Sequence, residues 1–192
     1  MKKQNFYFNR VLGVIFIAAA AFLFGSCFAR AQNAPASEKA KLFEEAGLRI
    51  LNERISARDF SLPNLNGEMV SLQELRGQAV VLYFWATWCG PCRAGMPSLQ
   101  ALHDRYRENG LEVLAVNIRE APQHVQSFIS ENNYTFPVLL DENGAVSGTY
   151  GVRALPTIFI IDQEGFVVHR RTGGVNWDSP AVHAAFDYLL GY

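Results

Sequence analysis

Cysteine is scarce in this chain. The 192 residues hold three, at positions 27, 89 and 92, too few for a disulfide-stapled scaffold. Histidine is nearly as rare, and His103, His124, His169 and His183 show no paired ligand spacing. With no second cysteine pair either, a closed tetrahedral zinc site is excluded. An excess of charge is missing too: 17 Lys and Arg stand against 18 Asp and Glu, for a net charge of -1. Nothing in that balance draws the chain toward nucleic acid or acidic partners. Internal repeats and low-complexity tracts are absent, so the length suits one ordinary domain with extra segments.

The long uncharged apolar run lies at the N-terminus. Lys2, Lys3 and Arg10 precede it, Val11 to Phe24 is apolar, and Ala29-Arg30-Ala31 is a small-x-small cleavage pattern. Residues 1–31 therefore read as a secretory signal peptide or an uncleaved membrane anchor. The uncharged stretch is close to the roughly 18 residues that span a bilayer. Cys27 after Phe24-Gly25-Ser26 offers a third reading, a lipoprotein site, although Phe24 stands where an aliphatic residue is usual. In each case the basic residues stay inside and the rest is exported, to the periplasm or the outer face of the membrane. There disulfides can form, and the exported part keeps only Cys89 and Cys92.

Residues 32–53 read as a linker with a short helix. Ser37 can cap it, and Phe43, Ala46, Ile50 and Leu51 fall at helical spacing. A solvated or loosely docked helix is expected there. From residue 54 to 192 the pattern is that of one domain. Phe60, Leu62 and Leu65 lead to the Asn66-Gly67 turn and then to Met69-Val70-Ser71-Leu72, a hairpin signal. Ala79 to Trp85 and Leu111 to Ile118 are continuous apolar runs, as expected of strands buried on both faces. Between them a helix is predicted from Gly90 to Arg107, with Met96, Leu99, Leu102, His103 and Tyr106 on one face. Pro122 to Asn132 suits a helix, with Val125, Phe128 and Ile129 inward, and Phe136 to Leu140 is a short strand or turn. Thr157 to Ile161 and Phe166 to Arg170 form a hairpin pair around Asp162-Gln163-Glu164-Gly165. Asp178-Ser179-Pro180 then opens a last helix that stops at Gly191. This order describes an α/β domain with a mixed sheet and helices on both faces.

The chemistry lies where the first buried strand gives way to a helix. Phe84-Trp85-Ala86-Thr87-Trp88-Cys89-Gly90-Pro91-Cys92 sets two cysteines three apart at a helix start. Residues at that spacing share a face, and their Cα atoms can reach the ~5.5 Å of a disulfide. The unpaired N–H groups of the first turn and the positive end of the helix dipole favour a thiolate on Cys89. A free cysteine of pKa about 8.5 is only about 3% ionised at neutral pH, so this preference matters. Cys89 is therefore the expected nucleophile. Cys92, one turn in, is the resolving thiol, buried and still protonated. Pro91 fits the first turn, where its missing N–H would be unpaired anyway. Two other readings remain at this point. A structural disulfide would close a loop so short that it stabilises by only about 2 kcal/mol. Two thiolates could also carry a copper ion.

Trp88-Cys89-Gly90-Pro91-Cys92 resembles the signature of the thioredoxin superfamily, and Val80 to Pro97 is similar to its exported TlpA/ResA-like branch. Arg58-Asp59-Phe60-Ser61-Leu62 with the Asn66-Gly67 turn resembles the added N-terminal hairpin of that branch. Tyr150-Gly151-Val152-Arg153-Ala154-Leu155-Pro156-Thr157 resembles its cis-proline loop. Gly173-Gly174 before the last helix also fits, and the likeness runs from about Arg54 to Gly191. The resemblance implies a thioredoxin-like fold with an added N-terminal β-hairpin. It implies that Pro156 is cis and faces the cysteines, with the backbone of Leu155 pairing with an extended substrate. Trp88 is expected to be partly exposed as a substrate platform, and Trp85 to be core.

Two positions depart from the family. Thioredoxins keep a buried carboxylate six residues before the first cysteine, where this chain has Tyr83. Many exported relatives carry a Glu three residues after the second, where this chain has Gly95. Water, Tyr83 or the backbone would have to move the resolving thiol's proton.

The resemblance implies a protein-disulfide reductase acting on exported proteins, including those awaiting haem attachment. It would be fed by a membrane electron donor, act as a monomer, and use no cofactor beyond the Cys89-Cys92 pair. Gly90-Pro91 between the cysteines goes with reducing thioredoxins more than with strong oxidants. A disulfide oxidase or isomerase and a copper-binding module are the alternatives. A thiol peroxidase would need Pro-x-x-x-Thr-x-x-Cys, and Ala86 stands at the Thr position. His169 and Arg170 are expected on solvated surface.

Overall fold

The computed structural model describes residues 38–192, so the expected signal segment and Cys27 lie outside the described residues. Among the described residues no helix is long and apolar enough to cross a membrane. A first helix, α1, spans 38–45 and is followed by strands β1 (Ile50–Ser56), β2 (Ser61–Pro63) and β3 (Met69–Ser71). A short 3-10 turn at Leu72–Leu75 leads to β4 (Ala79–Trp85), α2 (Gly90–Tyr106) and β5 (Leu111–Ile118). Then come α3 (Pro122–Glu131), β6 (Val138–Asp141), α4 (Ala145–Thr149), β7 (Thr157–Ile161), β8 (Phe166–Thr172) and α5 (Pro180–Leu190).

One sheet of six strands runs in the order β1-β8-β7-β4-β5-β6. β5 lies parallel to β4 and to β6, whereas β7 and β8 are antiparallel neighbours on the other side. This is the expected mixed sheet with a thioredoxin-like order, and β4 sits inside it. Both faces of β4 are therefore covered, which is why its seven residues are all apolar and all buried. Alternate residues serve different layers. Ala79, Val81, Tyr83 and Trp85 pack with α2, α3 and α5 through Met96, Leu99, Leu102, Val125, Ile129 and Phe186. Val80, Leu82 and Phe84 face Leu62, Leu72, Tyr150 and Phe159. The hairpin β2-β3, turning at Asn66-Gly67 as expected, thus covers the face opposite the long helices together with the short α4.

The segment before residue 54 is a correction. The spacing of Phe43, Ala46, Ile50 and Leu51 suggested a solvated or loosely docked helix within a linker ending at residue 53. The helix instead stops at residue 45, because Gly47 takes a left-handed φ of 69°. Its N–H bonds the carbonyl of Glu44 at 2.9 Å, and Leu48 N–H reaches back to Phe43 at 2.6 Å. This paired closure is a Schellman cap, and its customary hydrophobic contact joins Phe43 and Leu48, both fully buried. Ile50 and Leu51 then enter β1, which pairs antiparallel with β8 and completes the sheet edge. The folded unit therefore begins before Arg54.

The added strand also corrects the reading of His169. Its position on β8 suggested surface, but β1 covers it. His169 is buried, and its Nδ1 donates to the carbonyl of Arg49 at 2.7 Å. Arg170 is exposed as expected. The helix α4 was not foreseen, because five residues containing Gly148 carry too little periodicity to read. At the C-terminal end the expectations hold. Ser179 caps α5 by accepting from Val182 N–H, and Gly191 closes it at a φ of 85°.

Candidate active site

The site is built where β4 leaves the sheet. Cys89 is the N-cap of α2, with extended backbone. Its sulfur accepts the N–H of Cys92 at 3.3 Å, so one orphan amide of the first turn points at the sulfur. The two cysteines are joined, with Cα atoms 5.2 Å apart. Cys89 lies at the rim with 5% exposure, whereas Cys92 is sealed at 0%. Gly90 and Pro91 fill the first turn between them and are exposed.

Cys89 opens onto a cavity of about 650 Å³. Trp88, Gly90 and Pro91 line it on the cysteine side, and Ala154 and Leu155 line it on the other. The Leu155-Pro156 bond is cis, as the resemblance implied. Pro156 itself is buried, and its carbonyl accepts from Gly173 N–H at 2.9 Å, which ties the loop to the Gly173-Gly174 segment. Trp88 is 72% exposed beside the cysteine, and Trp85 is wholly buried in the core. Of the residues expected at the site, Trp88, Cys89, Gly90, Pro91 and Leu155 share the cavity wall, while Cys92 and Pro156 are buried next in sequence to it.

Tyr83 occupies the place of the family carboxylate. Its hydroxyl donates to the carbonyl of Cys92 at 3.0 Å. Burial, reinforced by Tyr134, pushes the phenol well above its ordinary range, so it stays protonated at neutral pH. Tyr83 therefore holds the α2 backbone and does not serve as a base.

Sequence reading missed a second cluster. Glu120 accepts from Thr87 N–H at 2.7 Å, from Thr87 Oγ1 at 2.5 Å and from Asn117 Nδ2 at 2.7 Å. The Nε2 of His124 lies 3.1 Å from the same Thr87 hydroxyl. This carboxylate fastens the loop that carries Trp88 and Cys89 to the end of β5. A signal was present: β4 and β5 are parallel neighbours with Trp85 opposite Asn117, so the loops leaving both strands gather at one sheet edge. Among the described residues there is no group of three or more metal-ligating side chains.

Residues 55–170 match the AhpC/TSA family. A thiol-disulfide oxidoreductase ResA from Halalkalibacterium halodurans is 34% identical over 175 residues, covering 91% of this chain and 90% of that one. The ResA of Bacillus subtilis is 38% identical over 128 residues, covering 67% and 72%. The chain belongs to the AhpC/TSA family, on its ResA-like branch. A solved structure described as a putative DsbE thiol:disulfide interchange protein from Chlorobium tepidum agrees. It is 34% identical, covers 73% of this chain and 99% of its own, and superposes with a TM-score of 0.67. The chemistry of this ResA-like chain is thiol-disulfide exchange at Cys89 and Cys92.

Proposed function

We propose that this chain is a dithiol donor on the extracytoplasmic side, reducing disulfides in exported proteins, among them proteins awaiting haem attachment. The observation that carries the reading is the asymmetry of the pair, with Cys89 opening on a cavity and Cys92 sealed behind it. In the reduced protein the Cys89 thiolate attacks one sulfur of a substrate disulfide. That S–S bond breaks, the leaving thiolate takes a proton, and a mixed disulfide joins Cys89 to the substrate. Cys92 then loses its proton and attacks the Cys89 sulfur. The substrate leaves as a dithiol, and its two electrons come from the Cys89-Cys92 pair. Trp88 and the Leu155 backbone hold the substrate segment while this happens. A membrane electron donor returns the pair to the dithiol, and the domain acts as a monomer. The apolar N-terminal run supports export and attachment to the membrane.

The test is a trap. Cys92→Ser in the full chain should accumulate mixed disulfides on Cys89 that dithiothreitol releases, and Cys89→Ser should accumulate none. A reduction potential more positive than about -180 mV would move the reading to an oxidase or isomerase. Stoichiometric Cu(I) binding without insulin reduction would replace it with a copper carrier.

A further inference from the structure

The cavity beside Cys89 is charged on one side only. Arg119 and Arg153 line it, and among the described residues no Asp or Glu does. Among the described residues neither guanidinium has an ion pair or a hydrogen bond to a carboxylate. The nearby carboxylates are already engaged: Glu120 holds Thr87 and Asn117, and Asp141 accepts the N–H groups of Val146 and Ser147. The cavity wall thus presents two guanidiniums without an ion-pair partner among the described residues, in a chain whose net charge is -1.

Arg119 is held there by its backbone. It has a left-handed φ of 57°, a conformation uncommon outside glycine, and its N–H donates to the carbonyl of Asp141 at 3.1 Å. Its side chain lies over Gly144, where an added β-carbon would collide with Arg119 Nε. Gly144 lines the same cavity, so the guanidinium rests along the wall and a larger residue at 144 would evict it. Strained backbone of this kind persists where surrounding contacts enforce it and clusters at binding sites.

We infer that the cavity selects substrates by charge, taking a peptide with an Asp or Glu next to the disulfide cysteine. Arg119 and Arg153 receive that carboxylate while Cys89 reaches the sulfur. A guanidinium suits a carboxylate through paired N–H donors, and the cavity is in the size range of a small-ligand site. The inference rests on the reductase reading above and adds substrate class to it.

The test uses the full chain and three synthetic disulfide peptides that differ only at the residue next to one cysteine: Glu, Gln or Lys. The expected kcat/KM for the Glu peptide exceeds that for the Gln peptide by about tenfold, as one good charged hydrogen bond would give. The Lys peptide is slower still, and the ratios shrink as salt is raised. Arg119→Asn with Arg153→Gln brings the Glu/Gln ratio close to one. Asn tolerates the left-handed backbone, and Arg119→Gly in its place supplies a second variant free of that strain. Equal rates on all three peptides with the unmodified chain overturn the charge selection and leave the reductase standing. A ratio that survives both double variants overturns the assignment to these arginines. Failure to reduce any of the peptides removes the reductase reading and this inference together.

Discussion

The hydroxyl of Tyr83 stands 3.1 Å from the point where a β-carbon on residue 95 would sit, and residue 95 is glycine. The same hydroxyl is tied to the Cys92 carbonyl and fully buried, so it cannot yield by swinging aside. The two departures from the family carboxylates are therefore one arrangement: a tyrosine on β4 fills the space beside α2, and the helix meets it with glycine.

This coupling predicts a sign reversal. Alanine is favoured over glycine in a helix by about 1 kcal/mol. In the native background Gly95→Ala should nonetheless destabilise, because overpacking a filled site costs about 1–3 kcal/mol. With Tyr83→Phe the oxygen is gone and the ring carbon stands 4.0 Å away, so the same change should stabilise. Urea unfolding of the four oxidised proteins should give a coupling energy of about 1 kcal/mol or more. Additive effects would mean that the contact is not tight. Gly95→Glu should likewise alter the pH profile of reduction only in the Tyr83→Phe background, where the carboxylate has room beside Cys92.

Much of the fold was legible because it is local. The apolar run of β4, the helix start at Cys89 and the Ser179-Pro180 cap each declare themselves within a few residues. The buried faces of α2 and α3 also follow from spacing alone. What escaped depends on partners far along the chain. The periodicity of Phe43, Ala46, Ile50 and Leu51 looked helical because Phe43, Ala46 and Ile50 pack on one core from both sides of the Gly47 cap, although Leu51, on the other face of β1, joins the opposite one. His169 looked exposed because nothing in its neighbourhood announces a strand arriving from Ile50. Arg119 and Glu120 follow the apolar run of β5 with no local pattern to single them out, and only the parallel pairing of β4 with β5 carries them to the cysteine loop.

That early segment yields a prediction about where the chain can be cut. A protein beginning at Arg54 loses Phe43 and Leu48, each fully buried, along with the first four of the seven residues of β1. Burial of the two side chains is worth about 1.5–3 kcal/mol apiece. The loss of about 3–6 kcal/mol is a large part of the stability of an ordinary domain, about 5–15 kcal/mol. The urea midpoint should fall accordingly against the full chain. An unchanged midpoint would show that α1 and β1 are ornaments on an independent domain.

The buried histidines predict acid sensitivity above the carboxylate range. Burial is the main cause holding both His169 and His103 below the usual histidine range, against the opposing pulls of the Arg49 carbonyl and of Asp104. His169 Nδ1 must carry the proton it gives to Arg49, which leaves Nε2 bare and without a partner. Protonation would place a charged, unpaired N–H there. As pH falls below the unfolded value of about 6.5, the unfolded chain takes up protons that the folded one refuses. Stability should therefore be full above that pH and decline below it, by at most about 1.4 kcal/mol per pH unit for each group. His169→Asn, which keeps an amide donor but cannot titrate, should flatten the slope between pH 6.5 and 5.5. A slope equal to that of the native protein would assign the effect elsewhere.

Glu120 offers the sharpest test of how the cysteine loop is held. The Thr87 hydroxyl has one proton, and Glu120 takes it, so His124 must approach as a donor from Nε2. A carboxylate can accept from Thr87 N–H, Asn117 and the hydroxyl together, and a carboxamide cannot. In Glu120→Gln the amide nitrogen can only donate, so the Thr87 hydroxyl would have to turn its proton away and lose its charged acceptor. Loss of such a charged hydrogen bond costs about 1.5–3 kcal/mol, and Thr87→Val, which deletes one of them and keeps the backbone N–H, should cost a comparable amount. Thr87 is two residues from Cys89, so the looser loop should also slow peptide-disulfide reduction through kcat, with KM little changed. Glu120→Gln discharges the acceptor of all three bonds, so it should lose at least as much urea stability and turnover as Thr87→Val. A Gln variant as stable and as fast as the native protein would remove Glu120 from any positioning role.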